Sequence, residues 1–178
     1  KDALRRATIA YKLVPVFCGS ALQNRGIQPL LDAIGDYLPS PADIPPIEGT
    51  VYRGEDLVTR KPDSSEPFSA LAFKTLSDPF VGRLVYLRVY SGTAVTGGMV
   101  LNSTTGNRER LGRILRMHAD HREDIEQVLP GQIIAVVGLK DTSTGDTICD
   151  RDKTVVLESI TFPEPVVSVA VEPMSRVD

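Results

Sequence analysis

The chain changes texture once, at a run of prolines, and that change limits what it can fold into. Residues 39–46 read PSPADIPP. Proline fixes φ and carries no N–H, so such a run stops a helix and holds the backbone stiff and extended. Before it, residues 13–18 (LVPVFC) form a short apolar run that fits a buried strand. Gly19-Ser20-Ala21 follows as a turn. Ile27, Leu30, Leu31, Ile34 and Leu38 then lay one apolar stripe on a helix. Pro29 fits only in that helix's first turn, where its missing N–H removes no helical bond. Strand, turn and amphipathic helix make one piece of an α/β sheet.

After the prolines the pattern is β. Segments 68–75, 83–90, 99–102, 109–118, 132–138 and 147–149 read as short strands, with Gly92, Gly97-Gly98, Gly106, Gly131 and Gly145 in the connections. In 83–90, Val85, Leu87 and Val89 share one face, and Leu84, Tyr86, Arg88 and Tyr90 share the other. Short strands without intervening helices imply a closed barrel or a sandwich, and closure removes exposed sheet edges. A second proline pair, Pro163 and Pro165, precedes an alternating run at 166–171 that reads as an orphan strand. The expected division is 1–40 for the α/β remnant, 41–47 for the linker, 48–162 for the β-barrel and 163–178 for the start of a further domain.

At 178 residues, 42% apolar, the chain is long enough to bury a core. It holds no apolar run of about 18 residues, so no membrane-spanning helix is expected. It begins with Lys1 and stops just after a strand-like run, and both ends read as cuts in a longer protein. Net charge is −3. Residues 83–122 carry 7 Lys and Arg against 2 Asp and Glu, whereas 123–178 carry 4 against 11. This suggests either a basic face for a polyanion or strands that simply turn their charges outward. Cys18 and Cys149 sit in apolar flanks and read as buried, reduced cysteines.

Several sites suggest chemistry. The turn at Ser20, Ala21 and Leu22, between an apolar run and a helix, can offer backbone N–H groups to a base, or can be a bare turn. The phosphate loop GxxxxGKS/T and the NKxD base selector are missing from the sequence, and the one DxxG string, DAIG at 32–35, falls on the apolar-striped helix and makes no switch loop. His118 and His121, near Asp120 and Glu123, have a His-x-x-His spacing but no third His or Cys, and read as a polar turn before a metal site. Arg108, Arg110, Arg113, Arg116 and Arg122 cluster along one strand and turn. Arg110 and Arg116 share strand parity, and Arg113 joins them only if a bulge near Gly112 reverses the register. They suit RNA phosphates and bases, or a solvated strand face. Residues 140–146 (KDTSTGD) read as a polar connection that needs no function. Nothing in the sequence assembles a catalytic set.

Longer strings carry a resemblance. Residues 18–21 read CGSA, 36–41 DYLPSP, and 45–50 PPIEGT. Further on, 77–82 read SDPFVG, 89–92 VYSG, 117–123 MHADHRE, 135–147 AVVGLKDTSTGDT and 162–173 FPEPVVSVAVEP. In this order, over nearly the whole chain, they resemble bacterial elongation factor G, a translational GTPase. Release factor three, the back-translocating factor and ribosome-protection proteins share the barrel but fit residues 138–150 and 168–173 less well. A stand-alone RNA- or protein-binding barrel is the other alternative.

The resemblance implies a mainly β fold, the translation-factor β-barrel of the second domain, between the end of the GTPase domain and the start of the third. It implies that Ser20, Ala21 and Leu22 are an incomplete guanine loop, with GTP or GDP and magnesium belonging to the parent protein and no cofactor to this piece. It implies a cytoplasmic protein that docks on small-subunit ribosomal RNA and contacts its own GTPase and third domains. Arg83, Arg110, Arg113 and Arg116 are the RNA-facing candidates, chosen on chemistry.

Overall fold

The computed structural model describes residues 1–79, 81–118, 121–158, 167, 169 and 170. Two helices lead. α1 spans Asp2–Ile9 and α2 spans Ile27–Tyr37, with Pro29 in its first turn as required. Arg5 ties them, donating to the carbonyls of Asp36 and Leu38, both at 3.1 Å. Residues 13–18 form no strand. They are unpaired, with Val14 and Val16 exposed, because no neighbouring strand lies beside them among the described residues. Cys18 is exposed with them, against expectation, while Cys149 is buried, and that burial pushes its thiol pKa up.

The prolines then form a short 3₁₀ turn, Pro41–Asp43. Thirteen strands follow among the described residues: β1 Ile47–Thr50, β2 Leu57–Arg60, β3 Ser69–Asp78, β4 Gly82–Ser91, β5 Ala94–Val95, β6 Met99–Asn102, β7 Arg108–Arg110, β8 Arg113–His118, β9 His121–Ile125, β10 Gln127–Val128, β11 Ile133–Val137, β12 Thr147–Cys149 and β13 Val156–Leu157. The expected strand at 166–171 lies largely outside the described residues, as does Asp120.

The main sheet is antiparallel, in the order β7-β6-β12-β3-β4-β11-β8-β9. β7 and β8 stand six positions apart, roughly 29 Å in a flat sheet. Yet only Leu111 and Gly112 join them, a link that spans roughly 11 Å at most. The sheet therefore curls until its ends meet: it is a barrel. Gly112 makes the corner possible, since a Cβ there would stand 2.5 Å from the carbonyl oxygen of Val137. A break between β7 and β8 at 111–112, not a bulge, lies at the position where a bulge would have been needed to bring Arg113 to the side of Arg110 and Arg116. The irregularities in the main hairpin fall instead between Ser69 and Ala70 and between Ala72 and Lys74 of β3.

The alternation in β4 sorts its residues as expected. Val85, Leu87 and Val89 fill the barrel with Phe68, Ile134 and Ile148. On the outer face, Leu84 and Tyr86 pack with Leu115 and Ala135. Tyr90 packs with Leu101, Cys149 and Leu157 under a small sheet, β13-β1-β2. The barrel is thus covered on one flank by the strands that follow the linker.

Candidate nucleic-acid interface

The short strand β7 exposes Arg108 and Arg110 and buries Glu109 between them. Arg110 Nε donates to the Gly97 carbonyl at 3.0 Å, which lays the guanidinium on the Gly97-Gly98 turn. Arg113 opens β8 and grips Asp124 with two bonds, Nε to Oδ1 at 3.0 Å and Nη2 to Oδ2 at 2.8 Å. Arg116 reaches Glu123 at 3.4 Å. Asp124 stands opposite Leu115, and Glu123 opposite Arg116. The two ion pairs therefore lie on opposite faces of the β8–β9 hairpin. Arg122 bonds Asp78 at 2.5 Å. Arg83, at the far end of β4, donates to the carbonyls of Lys140 and Thr142, both at 2.5 Å.

The four candidates Arg83, Arg110, Arg113 and Arg116 are thus placed by different elements and do not share one surface. Parity explains part of this. Arg113 and Arg116 are three apart on β8, so they point to opposite sides, and the corner at 111–112 separates both from the alternation of β7. The separation of a basic middle from an acidic end does not survive folding. β9 brings Glu123 and Asp124, the first acidic residues of the end segment, back against the arginines. The Arg113 guanidinium holds the Asp124 carboxyl below the usual carboxylate range, and the same bond raises Arg113. Both groups remain exposed, so water and salt compete with the pair.

His118 and His121 face each other as the last pair of that hairpin. The polar turn read there falls on residues 119–120, which lie outside the described residues, and β9 was not expected. Its sequence, HREDI, has no apolar alternation because it is an edge strand with four exposed positions. Among the described residues no three His, Cys, Asp or Glu side chains gather as a metal site.

The turn after Cys18 is closed by a reciprocal bridge. Ser20 N donates to Arg25 O at 2.9 Å and Arg25 N to Ser20 O at 3.0 Å. Gln23 N reaches Ser20 Oγ at 3.4 Å. Asn24 takes φ 49°, which lets the loop return so tightly. Ala21 and Leu22 project from it, both exposed. Among the described residues their N–H groups meet no acceptor, so they are free to serve a ligand. A few residues before α2, Ala21 and Leu22 stand beside an apolar face, where Leu30, Leu31 and Ile34 are 41%, 61% and 48% exposed.

Sequence reasoning missed one buried polar network. The 140–146 connection is folded around two carboxylates. Glu109 accepts from Lys140 N at 2.6 Å, from Asp141 N at 3.0 Å and from the Thr142 hydroxyl. Asp146 accepts from Ser143 N at 2.8 Å and from Asn102 Nδ2 at 2.9 Å. Arg83 closes the outside of the same loop. A buried Glu between two exposed arginines was the only signal in the sequence.

Residues 67–151 match the family model of elongation factor G domain 2. The match falls on the barrel strands from β3 to β12. Beyond the domain, the chain is similar to a protein from Thermus thermophilus whose crystal structure is known, at 26% identity and a TM-score of 0.70. That likeness covers 99% of this chain and 24% of the other, so this chain spans about a quarter of the length of its structural relative.

Proposed function

We propose that the chain is a segment of a ribosomal translocation factor whose full protein uses GTP hydrolysis to move transfer RNA and messenger RNA during protein synthesis in the cytoplasm. The match of residues 67–151 to elongation factor G domain 2 carries this reading. In it, the barrel docks on small-subunit ribosomal RNA. Residues 1–40 are the end of the GTPase domain, 41–47 the linker, 48–162 the barrel and 163–178 the start of the third domain. The uncovered stripe of Leu30, Leu31 and Ile34 favours this over a stand-alone barrel, because a helix with that face needs a sheet to cover it. Ser20, Ala21 and Leu22 complete a guanine site only when the parent's phosphate loop and magnesium are present.

Of the RNA-facing candidates Arg83, Arg110, Arg113 and Arg116, which do not share one surface, Arg113 and Arg116 stand together on the β8–β9 hairpin, one on each face. Arg113 and Arg116 trade Asp124 and Glu123 for phosphates on docking, a low-cost exchange between exposed pairs. The double variant Arg113→Glu, Arg116→Glu in the full-length factor is expected to lose at least tenfold in ribosome affinity. It should also flatten the plot of log affinity against log salt by about 1 per lost phosphate contact. Asp124→Asn with Glu123→Gln, which frees both arginines, should tighten binding. Unchanged affinity and slope in both variants would refute RNA contact by this hairpin.

A further inference from the structure

Arg60 ends β2 and is 8% exposed. Its Nη2 donates to the Lys153 carbonyl at 3.0 Å and its Nη1 to the Thr59 carbonyl at 3.4 Å, while Nε has no partner. No carboxylate among the described residues stands within ion-pair distance of it. A buried guanidinium with only carbonyl partners leaves its charge uncompensated. Arg88 lies on the outward face of β4, between Leu71 and Ile133, and is half-buried. Its side chain too has no hydrogen bond or ion pair among the described residues. Both arginines line one pocket of about 170 Å³, where the linker meets the barrel. Pro41, Pro45 and Pro62 wall it and offer no N–H, and no carboxylate lines it.

We propose that this pocket is an oxyanion site that takes one tetrahedral phosphate group between Arg60 and Arg88. Guanidinium groups present planar, paired donors that match phosphate oxygens, and they bind strongly where apolar walls keep water back. The charge on Arg60 supplies the attraction, and its unfilled partnership supplies the reason. The volume is well below the roughly 300–1,000 Å³ of pockets that bury a drug-sized ligand, so it takes a single phosphate and not a whole nucleotide. The phosphate comes either as the free ion or from a polynucleotide backbone. The site lies away from the Arg113 and Arg116 hairpin and does not depend on the ribosomal reading.

The test uses the 178-residue chain and inorganic phosphate, titrated at constant ionic strength while the thermal midpoint is followed. The native chain should show a saturable rise. Arg88→Gln should need at least tenfold more phosphate for the same rise, and Arg6→Gln, an exposed arginine of α1 outside the pocket, should respond like the native chain. Where Arg88→Gln fails to fold, Arg88→Lys replaces it, keeping the charge and removing the planar fork, and a clear weakening is again expected. A flat response, or one undiminished by the Arg88 change, overturns the proposal. With the site filled, oligouridylate identifies the source: displacement of phosphate supports a backbone phosphate, and no displacement supports the free ion.

Discussion

The Glu109 carboxylate is 6% exposed and takes three donors from one loop: two backbone N–H groups and the Thr142 hydroxyl. Glu109→Ala would leave all three without an acceptor where water hardly reaches. A buried donor left unpaired costs about 1–3 kcal/mol. The three relax together, so the expected loss is about 2–4 kcal/mol in all. It should be read as a lower urea midpoint at unchanged slope. Glu109→Gln keeps one carbonyl acceptor and should cost less. A shift below about 0.5 kcal/mol for the alanine variant would mean that water enters and the loop is not held by this residue. None of this was legible from spacing. Glu109 and its partners are more than thirty positions apart, and the 140–146 stretch reads as a simple connection until the barrel closes and brings β7 alongside it. The partners of the arginines were hidden for the same reason. Their positions are plain in the chain, but Asp124 as the partner of Arg113 follows only from the register of β8 on β9.

At the scale of elements, legibility follows burial contrast. β4 alternates between a filled barrel and a partly covered outer face, so its period of two was plain. α2 was plain because its stripe is sharp and Pro29 can occupy only the first turn. β9 was not, since an edge strand exposed on both faces keeps no apolar signature. The run at 13–18 failed in the opposite way: its residues suit a strand, but a strand needs a neighbour to bond. The linker has a device of its own. Asp43 Oδ2 accepts from Ser40 N at 2.7 Å, Ser40 Oγ at 2.8 Å and Arg5 Nη2 at 2.5 Å. One carboxylate thus caps the 3₁₀ turn and ties α1 to it. The Ser40 backbone N–H, then its hydroxyl and the Arg5 charge, lower the Asp43 pKa. The folded value is below the unfolded one of about 3.9. Its stabilisation is therefore present above that pH and is lost as pH falls through the lower, folded value. In a carboxyl-carbon titration followed by nuclear magnetic resonance, Asp43 should titrate below the reference. Arg5→Gln and Ser40→Ala should each raise it without restoring it fully, because the Ser40 N–H remains. Amide exchange in α1 should quicken below the folded pKa. Titration of Asp43 at the reference value in the native chain would dismiss the cap.

For the whole molecule, the question is whether these 178 residues bind a nucleotide by themselves. The loop can give a guanine base the N–H groups of Ala21 and Leu22 and little more. Two hydrogen bonds contribute about 0.5–1.5 kcal/mol each, net of water. Association costs an estimated 4–15 kcal/mol in lost freedom. The balance is unfavourable unless phosphates are held as well, and the sequence has no GxxxxGKS/T to hold them. Isothermal titration of GDP and of GTP should therefore show no binding up to millimolar concentration. Inorganic phosphate is kept in the buffer, so that the Arg60 and Arg88 pocket cannot supply the signal. Micromolar binding under those conditions would mean that the chain contains a phosphate cradle of another kind. The incomplete guanine loop would then be the wrong reading of Ser20, Ala21 and Leu22. Silence, together with phosphate binding that depends on Arg88, would separate two roles in one chain: a loop that waits for the rest of a nucleotide site, and a pocket beside the linker that is already complete.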